Sequence, residues 1–366
     1  MTATQPSVDL TRIVSVAEFE PLARAVMEPA AWDYVAGGAW DEQSIAEADL
    51  AWRRRRLRPR VLVDVRHVDP STTMAGDPAA LPLAIAPMAA HGLAHADAEI
   101  ATARAAAAAG IPFTLSTMST ASLEEVAAAV PEGVRWFQLY TQAEPRQSRA
   151  LVERAVAAGY RAIIVTVDLP VLGYRQRDLR SGFNLAVRHG NFDDVLGPTH
   201  ASHLGDPEAG YDILQDELDQ GLTWSDLARI RSWSKLPLLV KGILTAEDAR
   251  LAVDHGVDGI VVSNHGARQL DRTVTPADSL EEVVAAAQGT EVWVDGGIRR
   301  GLDVVTAVAL GARGVMVGRP ILWALAAAGQ AGVERAVEIL RTETILAMTL
   351  LGARIPDELT RAHVAG

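Results

Sequence analysis

Eight short apolar runs, nearly all followed by a helical pattern, constrain this chain more than any other feature. They fall at 82–86, 111–115, 135–140, 162–167, 236–240, 259–262, 291–294 and 313–317. Such runs read as strands buried on both faces. The stretches between them carry helix start and stop signals: an Ala-rich segment over 97–109 closed by Gly110, a capping-box pattern at Ser122, a segment over 146–158 ended by Gly159, and one over 246–255 before Gly256. Strand alternating with helix implies parallel pairing, and eight such units over about 250 residues predict an α/β fold, a closed (β/α)8 TIM barrel. A doubly wound sheet is the competitor. No Gly-x-Gly-x-x-Gly turn follows the first run, which counts against that sheet and against a dinucleotide fold.

A barrel gathers the ends of its strands on one face. The polar residues that close the runs then belong to one mouth: Ser116, Gln138, Tyr140, Thr166, Asp168, Lys241, Ser263, His265, Arg268, Asp295 and Arg319. Among them, Ser263-Asn264-His265-Gly266-Ala267-Arg268-Gln269-Leu270-Asp271 follows its strand directly. An imidazole takes a proton near neutral pH, and a guanidinium three residues on grips a carboxylate with two prongs, so the pair suits a small acid with a removable proton. The plainer alternative is a capping histidine and a solvated arginine. After the last two strands, Asp295-Gly296-Gly297-Ile298-Arg299 and Gly318-Arg319-Pro320 put backbone amides and arginines where barrels bind phosphate, with glycine admitting close approach. Tight turns with surface arginines are the alternative there.

The expected organisation is one domain over 1–366. Residues 13–80 form an N-terminal helical cap, helical over 13–50 with a break at Gly37-Gly38, beside which Tyr34 either meets a ligand or simply packs. A long polar insertion after strand four, 176–222, is expected to be a lid, since loops beyond about 15 residues within a domain are usually functional or disordered. His189, His200 and His203 in it match no familiar ligand spacing and read as solvated, so no metal is expected. His91 and His95 read as structural.

Net charge of −12 disfavours nucleic acid as partner, and the run Arg53-Arg54-Arg55-Arg56 reads as a solvated or interface patch. With no cysteine, thiolate chemistry is excluded. No apolar run approaches the roughly 20 residues of a membrane span, and residues 1–11 show no secretory pattern, so a cytoplasmic protein without membrane attachment is expected.

The segment Ser263 to Asp271, with Phe137-Gln138-Leu139-Tyr140, Thr166-Val167-Asp168, Leu239-Val240-Lys241-Gly242 and the two glycine-arginine motifs, resembles the FMN-dependent α-hydroxy-acid oxidase and dehydrogenase family over about 13–355. That resemblance implies FMN and a small L-2-hydroxy acid oxidised to the 2-oxo acid, with O2 returning H2O2. A dehydrogenase passing electrons to a quinone or cytochrome is the alternative, and a non-catalytic flavin- or phosphate-ligand-binding barrel a third. It implies that His265 is the base, Asp168 its partner, Arg268 and Arg175 the carboxylate clamp assisted by Tyr34, and Tyr140 a hydrogen-bonding partner of the substrate. It implies that Lys241 sits at the flavin, that Pro87, Met88, Ala89, Ser116, Gln138, Thr166 and Ser263 hold the ring, that Asp295 binds the ribityl chain, and that Gly297, Arg299, Gly318 and Arg319 bind the phosphate. Met118 falls at the substrate pocket, where an adaptable side chain admits aliphatic or aryl groups. Met88 stands where the family often has Thr, and Ala96 where it usually has Pro. The resemblance also implies a homo-oligomer, a tetramer or octamer.

Overall fold

Eight parallel strands close the barrel in the computed structural model, which describes residues 8–183, 188–192 and 218–365. They are Leu83–Ile85 (β1), Phe113–Ser116 (β2), Arg135–Leu139 (β3), Ala162–Thr166 (β4), Leu238–Ile243 (β5), Gly259–Val262 (β6), Glu291–Val294 (β7) and Gly314–Val317 (β8). β8 pairs with β1 to shut the ring. All eight expected runs are strands. The expected helices also form, including the Ser122 capping box, in which Ser122 N–H donates to Glu125 Oε2 at 2.7 Å and Glu125 N–H to Ser122 Oγ at 3.1 Å.

The barrel floor is packed around two indoles, Trp136 and Trp293, whose rings meet edge to face at 6.1 Å. Small residues make the room. A Cβ on Gly259 would lie 2.1 Å from the Trp293 ring, and Ala84 and Ala162 occupy other inward positions of the same buried cluster. Side chains along a strand alternate between faces, so the inward position two residues beyond each floor residue points into the barrel nearer its mouth. Those positions are Gln138 after Trp136, Thr166 after Ile164, Lys241 after Leu239, Ser263 after Val261 and Asp295 after Trp293. The apolar floor and the polar mouth are thus one alternation read along the same strands.

Two parts of the outline differ from the sequence reading. The cap is helical over Phe19–Val26, Pro29–Ala36 and Gln43–Arg54, but Thr72–Met74 and Asp77–Ala79 form an antiparallel hairpin whose Met74 joins the floor cluster under the tryptophans. A barrel open at its N-terminal end would leave that floor wet. β5 also runs on through Lys241-Gly242 to Ile243, with a register shift against β6 between Lys241 and Ile243. In the arginine run Arg53, Arg54 and Arg56 are exposed, as expected, while Arg54 and Arg55 pair with Asp278, and Arg55 with Glu281, on helix Pro276–Ala286.

Of the insertion, residues 176–183, with helix Gln176–Ser181, 188–192 and 218–222 are described, and His189 is buried rather than solvated. The remainder of the expected lid, with His200 and His203, lies outside the described residues. Among the described residues no helix is long and apolar enough to cross a membrane.

Candidate active site

The polar ends of the strands open into one cavity, whose wall also takes in Tyr34 and Val35 from helix Pro29–Ala36 and Arg175 from the loop after β4. Past β6 the chain turns through His265, Gly266 and Ala267 with φ of 59°, 64° and 62°. Left-handed backbone costs a non-glycine residue roughly 1–2 kcal/mol, so neighbours hold this turn. Ala267 N–H donates to both the backbone and the side-chain oxygen of Asn264 at 3.0 Å, His265 N–H to Ser263 Oγ at 3.0 Å, and Ala39 N–H to Ala267 O at 2.9 Å.

The turn brings the imidazole against Asp168 and Tyr140. Nδ1 lies 2.7 Å from Asp168 Oδ1, and Nε2 lies 3.1 Å from the Tyr140 hydroxyl. With Nδ1–H donated to the carboxylate, Nε2 is left to accept a proton. Burial, joined by the charges of Lys241 and Arg175, lowers the His265 pKa despite Asp168, so the ring rests neutral. Burial alone would raise the Asp168 carboxyl, but His265 and Lys241 beside it outweigh that and hold it below the usual carboxylate range. Burial, with the Asp168 charge, pushes the Tyr140 phenol far up, which keeps it a donor.

Two further residues build this pair, and neither had a role in the sequence reading. Gly242 has φ 116°, and a Cβ there would stand 2.6 Å from Asp168 Cβ and 2.7 Å from its Cγ. Gly242→Ala is therefore expected to slow acid-dependent flavin reduction by about 10²-fold through misplacement of the carboxylate. Stopped-flow reduction compared with wild type checks this, and a rate within about twofold would contradict it. Gln269 bridges two loops: its Nε2 donates to Asp168 O at 3.0 Å, and its Oε1 accepts from Gly173 N–H at 3.1 Å and Arg175 Nη2 at 3.4 Å. Only its place in the motif marked it.

The cations line the opposite wall. Arg268 donates to Tyr34 O and, at 2.9 Å, to Gly37 O, with its guanidinium 4.6 Å from the Tyr34 ring centre. Tyr34 stacks on Phe183 at 4.8 Å and faces the cavity, which settles it as a wall residue. Arg175 Nε donates to Arg268 O at 3.2 Å. Asp178, also on this wall, has its carboxyl raised by burial despite the charges of Arg268 and Arg175. Met118, with Leu169 and Leu172, supplies apolar wall, and Pro87, Met88 and Ala89 line the cavity after β1.

Lys241 Nζ lies 3.0 Å from Asp295 Oδ2 and donates to Ser263 Oγ at 2.8 Å. Burial opposes its charge, but Asp295 and then Asp168 outweigh burial and raise its pKa. Ser116 ends β2 and Ser263 follows β6 directly. Their hydroxyls are taken up internally, Ser116 Oγ by Gln138 Oε1 at 3.1 Å and Met118 N–H at 3.1 Å, and Ser263 Oγ by Lys241 and His265. Both hydroxyls thereby orient the side chains beside them.

Around the ends of β7 and β8, Arg319 donates to Val35 O at 3.1 Å, Gly37 O at 2.9 Å and Gly266 O at 2.8 Å, while Arg299 lies 5.0 Å from the Trp323 ring centre. Burial, then the charges of Arg268 and Arg299, pull the Arg319 pKa down despite Glu42. Gly297 borders the cavity and is also packed against the helical cap. Its φ is 78° and its missing Cβ faces Ala48 O at 2.2 Å, so it is glycine for the docking of helix Gln43–Arg54, and only its backbone borders the cavity. Gly318 keeps Met88 Sδ at 3.5 Å from where its Cβ would stand.

These residues fit FMN. Gln138 Nε2, Thr166 Oγ1 and Asp295 Oδ1, at the mouth ends of β3, β4 and β7, are buried without a hydrogen-bond partner. Buried polar atoms are rarely left so, and a flavin's pyrimidine edge and ribityl hydroxyls offer both donors and acceptors. The arginine cluster suits its phosphate.

A family model described as FMN-dependent dehydrogenase matches residues 23–366. The chain is 46% identical to L-lactate oxidase of Nostoc sp. over 93% of its length and 94% of that protein's, and 45% identical to glycolate oxidase of Spinacia oleracea over 96% of each. A crystal structure of mandelate oxidase with (S)-4-hydroxymandelic acid superposes with a TM-score of 0.91 at 45% identity, covering 96% of this chain and 98% of that one. The chain belongs to the FMN-dependent dehydrogenase family.

Proposed function

We propose that this protein oxidises an L-2-hydroxy acid to the 2-oxo acid with FMN as cofactor and O2 as acceptor, giving H2O2. The observation that carries the reading is the neutral His265 whose Nε2 borders the cavity while Nδ1 is tied to buried Asp168 at 2.7 Å. Binding alone needs neither a base nor a partner for it. Relatives that are 2-hydroxy-acid oxidases at 45–46% identity support the same reaction.

In this reading Arg268 and Arg175 hold the substrate carboxylate against the wall that Tyr34 completes, and Tyr140 hydrogen-bonds the hydroxyl or carboxylate. His265 Nε2 takes the hydroxyl proton, and Asp168 stabilises the imidazolium that forms. FMN, when bound, supplies the acceptor for the hydride from Cα and hands the electrons on to O2. Lys241 holds positive charge at the barrel axis, where it stabilises negative charge on a reduced ring. Pro87, Met88, Ala89, Gln138 and Thr166 would hold the ring, Asp295 the ribityl chain, and Arg299, Gly318 and Arg319 the phosphate.

The protein is read as cytoplasmic and as a homo-oligomer, a tetramer or octamer. Leu346 and Leu350, one turn apart on the C-terminal helix and 56% and 67% exposed, support self-association.

Anaerobic mixing with glycolate, L-lactate, a longer 2-hydroxy acid and L-mandelate is expected to bleach the yellow protein with at least one of them, and air to restore the colour rapidly. Persistence of the oxidised spectrum with every acid would defeat the catalytic reading. Bleaching with slow return in air, but fast return with an artificial acceptor, would favour the dehydrogenase.

A further inference from the structure

Residues 188–192 of the insertion are tied to the turn that follows β2, and the tie runs through one side chain. Asn191 is wholly buried. Its Nδ2 donates to Ser116 O at 3.2 Å, Thr117 O at 3.0 Å and Ser119 Oγ at 2.9 Å, and its Oδ1 accepts from Leu123 N–H at 2.8 Å. One amide therefore spans the turn from the last residue of β2 to the first residue of helix Leu123–Ala129. Gly190 lies backbone to backbone on the same turn. A Cβ on it would stand 2.4 Å from Ser122 N, and its N–H donates to Ser119 O at 3.1 Å and Thr120 O at 3.2 Å. From behind, Arg154 Nη1 donates to Asn191 O at 2.6 Å and Arg188 Nη1 to Glu125 Oε1 at 3.0 Å.

Met118 sits inside the clamped turn, with its side chain on the cavity wall. Methionine has three rotatable bonds and no fixed shape, so the place of its side chain follows the backbone that carries it. The turn, Ser116-Thr117-Met118-Ser119-Thr120-Ala121-Ser122-Leu123, has neither proline nor glycine to set its course. Buried Glu99 accepts from Thr120 N–H at 2.9 Å and Ala121 N–H at 3.0 Å, and Ala90 N–H donates to Met118 O at 3.0 Å, while Asn191 ties both ends of the turn together.

We propose that Asn191 is a positioning residue for substrate selection: by clamping 116–123 it fixes the Met118 wall and so sets which substrate side chains the cavity admits. The inference rests on the 2-hydroxy-acid reading of this cavity. Without the amide, Thr117 O and the Leu123 N–H lose their buried partner, Ser116 O keeps only the Ser119 N–H at 3.2 Å, and the wall gains freedom to adapt to side chains it otherwise rejects.

The test uses the FMN-loaded full-length protein as wild type, Asn191→Ala, Asn191→Ser, Met118→Ala and the Asn191→Ala, Met118→Ala double variant. Anaerobic flavin reduction is timed with glycolate, L-lactate and L-mandelate, and each rate is divided by that for glycolate, which has no side chain to meet Met118. Asn191→Ala is expected to shrink the discrimination among the acids by about tenfold. In the Met118→Ala background the same substitution is expected to change it by less than about twofold. Equal slowing of every acid would overturn the proposal, as would an equal change in both backgrounds. Should the alanine variant not fold, Asn191→Ser, which keeps a hydroxyl donor, is expected to show an intermediate shift.

Hydrogen exchange supplies a readout that needs no substrate. The Leu123 amide is expected to exchange about tenfold faster in either Asn191 variant, and unchanged exchange would sink the clamp. If exchange rises while no acid reduces the wild-type flavin, the clamp stands and the substrate reading falls.

Discussion

His265→Gln is expected to leave the protein yellow while slowing acid-dependent bleaching by about 10³-fold, within the range general-base removal usually shows. Among the described residues lining the cavity, His265 alone pairs an imidazole with a carboxylate, Nδ1 lying 2.7 Å from Asp168 and Nε2 3.1 Å from the Tyr140 hydroxyl. The flavin spectrum before substrate is the control for cofactor loading. The pH profile tests the same assignment from another side. Burial holds the His265 pKa below its ordinary value, so the proton-accepting form is already dominant at neutral pH. The rate constant for reduction in wild type should be flat above neutrality and fall only as acid charges the ring. A limb still rising above pH 7, or a His265→Gln rate within tenfold of wild type, would remove His265 from the role.

Lys241→Met is expected to be the most damaging single change to stability. The Lys241 and Asp295 side chains are 5% and 9% exposed and lie 3.0 Å apart, so removing the ammonium strands a carboxylate in the barrel interior. Breaking a buried pair from one side typically costs about 3–5 kcal/mol, whereas removing both charges costs far less. The double variant Lys241→Met with Asp295→Asn is therefore expected to be more stable than Lys241→Met alone. Urea unfolding of the four proteins in a double-mutant cycle measures the coupling. Coupling below about 0.5 kcal/mol would show the two charges to be independently solvated.

The barrel and the membership of its mouth were legible because a strand alternates. Apolar floor and polar mouth fall on the same parity, so Trp136 and Gln138, or Leu239 and Lys241, announce both the core and the site in a few residues. What escaped depends on contacts that alternation does not encode. The left-handed course through His265 and Ala267 uses no glycine at those two positions, and its support comes from Asn264, Ser263 and distant Ala39. Gly297 reads as a phosphate contact from its glycine pair at a strand end, and that reading does not reveal its second constraint, a missing side chain that makes room for Ala48. The hairpin at Thr72–Ala79 was hidden by brevity, and Asn191 by having no periodic neighbours at all.

The carbonyls that receive the mouth arginines come from the far end of the chain. Arg268 reaches Tyr34 and Gly37 across 234 and 231 positions of sequence, and Arg319 reaches Val35 across 284. Closing so long a loop adds little to the equilibrium cost, since each doubling of length adds only about 0.6 kcal/mol. Its weight falls on kinetics, because contacts of high sequence separation form late. On the ribosome the residues of the helical cap emerge first and wait for β6 to β8 before they meet their arginines. Cofactor capture then reports on completion of synthesis: a molecule that holds its flavin is one whose two ends have already met.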